Sequence, residues 1–90
     1  MERFIETWLG SLRAYDSENG SSLVATLGHY LESGGSYNST ARALAVHRST
    51  LKYRLQRIRE ISDHDLTDAD IRFQLQLASR AWRTLEALRS

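Results

Sequence analysis

Ninety residues with twelve Lys and Arg against eleven Asp and Glu carry a formal charge of +1, so bulk charge points to neither a nucleic acid nor a membrane, and any electrostatic message lies in its distribution. A chain of this length suits one domain that buries roughly 60 to 65 % of its unfolded surface. No cysteine is present, which excludes disulfides and thiolate metal sites, puts the weight of stability on packing and fits a reducing cytosol.

The amino end, MERFIETWLGSLRAYD, has Glu2 and Glu6 breaking any apolar stretch and does not read as a signal peptide. No run approaches the ~20 apolar residues of a membrane span, so a soluble, cytoplasmic chain is expected. Proline is absent, and apolar residues recur at steps of three and four almost throughout. The pattern predicts one all-α domain over 1–90, a compact bundle of about five helices. The first is expected over about 2–15, with Phe4, Ile5, Trp8, Leu9, Leu12 and Tyr15 on one stripe. DSENG, 16–20, then reads as a loop. A second helix over about 21–33 buries Leu23, Val24, Leu27, Tyr30 and Leu31, and the glycines at 34 and 35 supply the left-handed conformation that ends helices.

A short helix over about 37–45 follows, with Ser36 as its N-cap. After a two-residue break at Val46 and His47, another runs from Arg48 to about Ile61, with Leu51, Leu55 and Ile58 buried. Helices joined this tightly cross steeply, so 37–61 has the layout of a helix-turn-helix, in which the second helix enters the DNA major groove and the first braces it. Ala41 is small at the closest approach, and Leu44, Val46, Leu51 and Leu55 fill the angle. On a helical wheel with Leu51 at zero, Ser49, Tyr53, Gln56 and Arg57 lie opposite, and Thr50 and Lys52 lie on the flanks.

Charge singles out the same segment. From Asn38 to Arg59 the chain has Arg42, Arg48, Lys52, Arg54, Arg57 and Arg59 with no acid, whereas Glu60 to Asp70 holds Glu60, Asp63, Asp65, Asp68 and Asp70 with no Lys or Arg. The near-neutral total therefore hides two opposed blocks, and the basic one is suited to phosphates. Arg48 can pair bidentately with guanine, and Ser49 and Tyr53 can reach base edges. His47, Thr50, Lys52 and Arg57 suit phosphates. Arg54 and Arg59 sit nearer the buried edge.

In the acidic connection SDHDLTDAD, Thr67 is expected to cap the last helix with Asp70 completing a capping box, and Asp68 and Asp70 suit its dipole. That helix runs to about Arg89. Ile71, Leu75, Ala78, Trp82 and Leu85 form one apolar stripe; Phe73, Leu77, Ala81 and Leu88 form a second, which packs either on the first helix or on another chain or domain. His29, His47 and His64 are too far apart for one helical turn, so no metal site is expected, and neither a cofactor nor enzymatic activity is indicated.

GGSYNSTARALAVHRSTLKYRLQRI, 34–58, resembles the C-terminal DNA-binding domain of PucR/CdaR-type bacterial transcriptional regulators and, more distantly, the helix-turn-helix of Fis. The shared elements are the double glycine, TARAL at 40–44, VHR at 46–48, TL at 50–51 and YRL at 53–55. Ser36 and Ser49 depart from the Asn common there, and Ala45 from the Gly of many such turns. The resemblance implies double-stranded DNA as partner, contacts by Arg48, Thr50, Lys52 and Tyr53, and an N-terminal sensory region outside these residues. The chain is then the C-terminal output part of a longer regulator, and a homodimer would place two reading helices on paired half-sites. The competing readings are a Fis-like architectural protein that bends DNA and a helical protein-interaction module.

Overall fold

Five helices account for most of residues 1–89, the residues described by the computed structural model: α1 (Glu2–Asn19), α2 (Leu23–Glu32), α3 (Tyr37–Leu44), α4 (Arg48–Ser62) and α5 (Ala69–Arg89). Their apolar faces meet in one core built on Ile5, Leu9, Leu12, Leu27, Leu51, Leu55, Ile58 and Leu75, all buried. α1 packs against α2, α4 and α5; α2 packs against every other helix; α3 touches only α2 and α4. The radius of gyration, 12.3 Å, matches the roughly 12 Å expected for a folded chain of this length, so no helix stands away from the body.

The expected all-α bundle is observed, with three corrections of detail. α1 does not stop at Tyr15 but continues through Asn19 and ends at Gly20, which takes the left-handed conformation. What looked like a loop is a solvated last turn with a tertiary task. The Asp16 carboxylate accepts from the backbone N–H groups of Leu23 (2.8 Å) and Val24 (3.0 Å) and from the Ser21 hydroxyl. It thereby satisfies the free amino end of α2, where Ser22 makes no side-chain cap. At α5, Asp68 rather than Thr67 is the cap: its carboxylate accepts from Asp70 N–H (2.9 Å) and Ile71 N–H (3.1 Å). Thr67 is drawn back by Asp65, which accepts from its N–H (2.9 Å) and hydroxyl (2.6 Å); those bonds, the hydroxyl first, lower the Asp65 pKa. On α5 itself, Ile71, Leu75, Ala78, Trp82 and Leu85 do face the core. The second stripe does not pack on α1, however. Ala81 is half-buried against the core, but Phe73, Leu77 and Leu88 are exposed.

α2 and α5 approach closely where Gly28 meets Ser79; a β-carbon at position 28 would lie 2.8 Å from Ser79 Oγ. Beside this contact Arg80 clamps Glu32 through two bonds of 2.7 and 2.9 Å, and Arg83 adds a third at 3.1 Å. The Arg80 hydrogen bonds lead in holding the Glu32 carboxyl at about 2, against the opposing effect of burial.

The helices α2 and α3 end alike. Gly35 N–H donates to Tyr30 C=O and Gly34 N–H to Leu31 C=O; likewise Val46 N–H donates to Ala41 C=O and Ala45 N–H to Arg42 C=O. These are Schellman motifs, with Gly34 (φ 70°) and Ala45 (φ 55°) in the left-handed position. Only glycine occupies that region without a steric penalty. Ala45→Gly is therefore expected to stabilise the domain by about 0.5 to 1 kcal/mol, the relief of strain exceeding the entropy gained by the unfolded chain. Urea unfolding checks this, and a loss of stability would show that position 45 is unstrained.

Candidate nucleic-acid interface

The α3–α4 corner is held from both sides. At its start Ser36 Oγ accepts from Ser39 N–H at 3.1 Å, the cap expected of it. Behind that cap, the Ser33 hydroxyl lies 2.7 Å from Tyr30 C=O and 3.0 Å from the hydroxyl of Thr40, while Ser36 N–H donates to it at 3.1 Å. Thr40 is fully buried, so this polar cluster ties α3 to the end of α2. At the other side, Ala41, Leu51 and Leu55 are buried and Leu44 and Val46 half-buried, the filling expected of the angle.

Burial of Leu51, Leu55 and Ile58 turns the rest of α4 outward. Arg48, Ser49, Thr50, Lys52, Tyr53 and Gln56 are all exposed, as is His47 ahead of the helix. Six of the seven predicted contact residues, all but Arg57, are therefore exposed on α4 or just ahead of it. Tyr53 is 65 % exposed, too much for a ring whose task is to cover a neighbouring helix. His47 makes no side-chain cap, so the N–H groups of the first α4 turn stay available at a helix end that favours anions.

Arg57 is the exception. Its guanidinium donates to Glu60 Oε1 (3.0 Å) and to the Tyr15 hydroxyl (3.2 Å), and it lies 5.2 Å from the Tyr15 ring centroid. These bonds, Tyr15 first, raise its pKa. The wheel angle placed Arg57 outward, but the side chain is half-buried, because a single-helix wheel contains nothing about α1, whose Tyr15 reaches across to it. Arg54 and Arg59 are half-buried, consistent with their place at the edge of the wheel.

Arg48 has a neighbour that the sequence did not suggest. Its guanidinium carbon lies 5.4 Å from the centroid of the Tyr37 ring, at the first residue of α3, and Tyr37 in turn meets Tyr30 edge-on at 5.8 Å and 89°. Eleven positions separate Tyr37 from Arg48 across a helix junction, so no single-helix periodicity pairs them.

The remaining features lie elsewhere. An open groove of about 780 Å³ between α1, α2 and α5 has Gly10, Ala14, Ala25 and Gly28 among its lining residues, and none of the predicted contact residues lines it. The histidines sit on separate elements, with His64 stacked on Trp8 at 5.0 Å. Among the described residues no helix is long and apolar enough to cross a membrane.

Residues 23–81 match the PucR C-terminal helix-turn-helix domain. The chain is 35 % identical over 69 residues to the DNA-binding transcriptional activator AdeR of Bacillus subtilis, covering 77 % of this chain and 16 % of that protein. It is 35 % identical over 85 residues to the purine catabolism regulatory protein of the same organism, covering 94 % and 16 %. Against the transcriptional activator PmfR of Paenarthrobacter nicotinovorans the identity is 42 % over 60 residues, covering 67 % and 13 %. The chain therefore spans only about a sixth of the length of these relatives. No solved structure matches it.

Proposed function

Because the chain belongs to the PucR C-terminal helix-turn-helix family, we propose that it is the sequence-specific DNA-binding output domain of a transcriptional regulator, with α4 lying in the major groove. The observation that carries this reading is the exposure of Arg48, Ser49, Thr50, Lys52 and Tyr53 around the free sides of α4, whose remaining side is anchored by the buried Leu51, Leu55 and Ile58. Arg48, Ser49 and Tyr53 read base edges. His47, Thr50 and Lys52 hold phosphates and set the register, helped by the open amino end of α4. Arg57 has a lesser phosphate role, since a contact requires it to leave Glu60. Ligand sensing then belongs to an N-terminal region of the full-length protein, and the domain itself has no catalytic task.

The test is anisotropy against a randomised duplex pool at two salt concentrations, with sequencing of the bound fraction. Salt-sensitive binding with an enriched motif supports the reading, whereas salt-sensitive binding without enrichment supports DNA bending of the Fis kind. Absence of binding at low salt leaves only a protein-interaction module. Within this assay Lys52→Ala is expected to weaken all duplexes alike and to reduce the magnitude of the salt slope by about 1; unequal losses between sequences would move Lys52 to the base-reading set.

The exposed row of Phe73, Leu77 and Leu88 favours a protein partner as well. We assign it to a second copy of the chain, with a domain of the same polypeptide as the alternative. The longest extent of the domain is 32 Å, close to the ~34 Å between half-sites one DNA turn apart, so two copies side by side fit adjacent grooves. Sedimentation over a concentration series is expected to show a dimer that Leu77→Glu abolishes. A wild-type chain monomeric throughout the series would overturn self-pairing.

A further inference from the structure

We infer that Tyr37 is a positioning residue for DNA recognition, holding the Arg48 guanidinium before DNA arrives. The inference rests on the proposed reading of bases by Arg48 and adds to it a residue outside α4. An exposed arginine at a helix start samples many rotamers, and fixing one of them on binding costs affinity. Here the guanidinium lies 5.4 Å from the Tyr37 ring centroid, inside the range of about 6 Å over which a ring face attracts a cation. The ring supplies no carboxylate or other strong acceptor to the guanidinium, so its N–H donors stay free for an acceptor pair such as guanine O6 and N7.

Tyr37 is itself anchored. It is the first residue of α3, directly after the Ser36 cap, and its ring meets Tyr30 edge-on at 5.8 Å. Tyr30 is 9 % exposed and belongs to the core. A line of contacts therefore runs from the core through two aromatic rings to the tip of the reading helix.

The comparison with the other stacked arginines separates this pair from ordinary surface packing. Arg13 lies over Trp82 and Arg57 over Tyr15, and each also has a glutamate partner, Glu6 at 3.6 Å and Glu60 at 3.0 Å. Among the described residues Arg48 has no carboxylate within salt-bridge distance. Its position is set by a neutral ring, and its full charge remains available to DNA.

The experiment is a double-mutant cycle on binding to the duplex selected by the chain, with unfolding measured for every variant. Tyr37→Leu is expected to weaken binding by about 2- to 10-fold, and Tyr37→Phe, which keeps the ring, to stay within about 2-fold of the wild type. In an Arg48→Ala background, Tyr37→Leu should change binding by less than about 1.5-fold, because nothing remains to be positioned. Equal losses in both backgrounds would overturn the inference, since Tyr37 would then act through the fold or through its own contact. If Arg48→Ala alone leaves binding unchanged, the reading role of Arg48 fails and the positioning role falls with it. Proton NMR of the free chain supplies the separate measurement: ring-current shifts of the Arg48 δ protons, absent in Tyr37→Leu, are the expected signature. Their absence from the wild type would overturn the stacking even where Arg48→Ala does weaken binding.

Discussion

Leu55→Ala is expected to destabilise the domain by about 2 to 5 kcal/mol. Leu55 is fully buried at the middle of α4, a helix that packs against α1, α2 and α3. The truncation removes apolar contact and leaves a cavity that rigid helices on several sides cannot close. For ninety residues the total stability is on the order of 4 to 14 kcal/mol, so the loss is a large part of the whole, and the melting temperature falls by roughly 10 to 30 °C. Leu77→Ala, on the same kind of side chain at an exposed site of α5, should stay within about 0.5 kcal/mol. Urea and thermal unfolding of the two variants check the contrast. Similar small losses for both would mean that α4 is not the keystone of the core.

Arg48→Ala should leave stability nearly untouched and yet weaken binding to the preferred site by about 1 to 3 kcal/mol, with relaxed choice at one base position. The separation is possible because Arg48 is exposed and forms no part of the core. Its neighbour is one ring face, so removing the guanidinium opens no cavity and strands no buried charge. The loss must then be specific: strong at the selected motif and slight at duplexes that lack the base it reads. Selection on the randomised pool, repeated with the variant, measures both quantities. Unchanged affinity and unchanged preference would remove Arg48 from the reading set.

The parts of this fold that were legible in the chain are those decided within one helix. Leu51, Leu55 and Ile58 on one side of α4, and Ser49 and Tyr53 on the other, follow from a 3.6-residue period alone. The end of α2 and the start of α3 were legible too, because Gly34 and Ser36 act on their own backbone neighbours. The errors arose where a side chain serves a distant partner. Asp16 looked like a loop residue by composition; its carboxylate instead caps a helix that begins seven residues later. Thr67 matched a capping pattern, but Asp68, one residue on, is better placed and carries a charge that the α5 dipole favours. Arg57 and Tyr37 make the same point at the candidate interface, since each is paired with an aromatic or acidic neighbour that periodicity along a single helix cannot supply. The second stripe of α5 was recognised as apolar, but pattern alone left its occupant open because α1 had already committed its stripe to the core.

The contact between Gly28 and Ser79 bears on how this chain can drift. With 2.8 Å between a hypothetical β-carbon and Ser79 Oγ, a side chain at 28 requires that hydroxyl to move, and alanine at 79, which lacks the hydroxyl, removes the conflict. The two sites are therefore coupled across α2 and α5. Descendants of this sequence should show compensated pairs at 28 and 79 and few single replacements at 28.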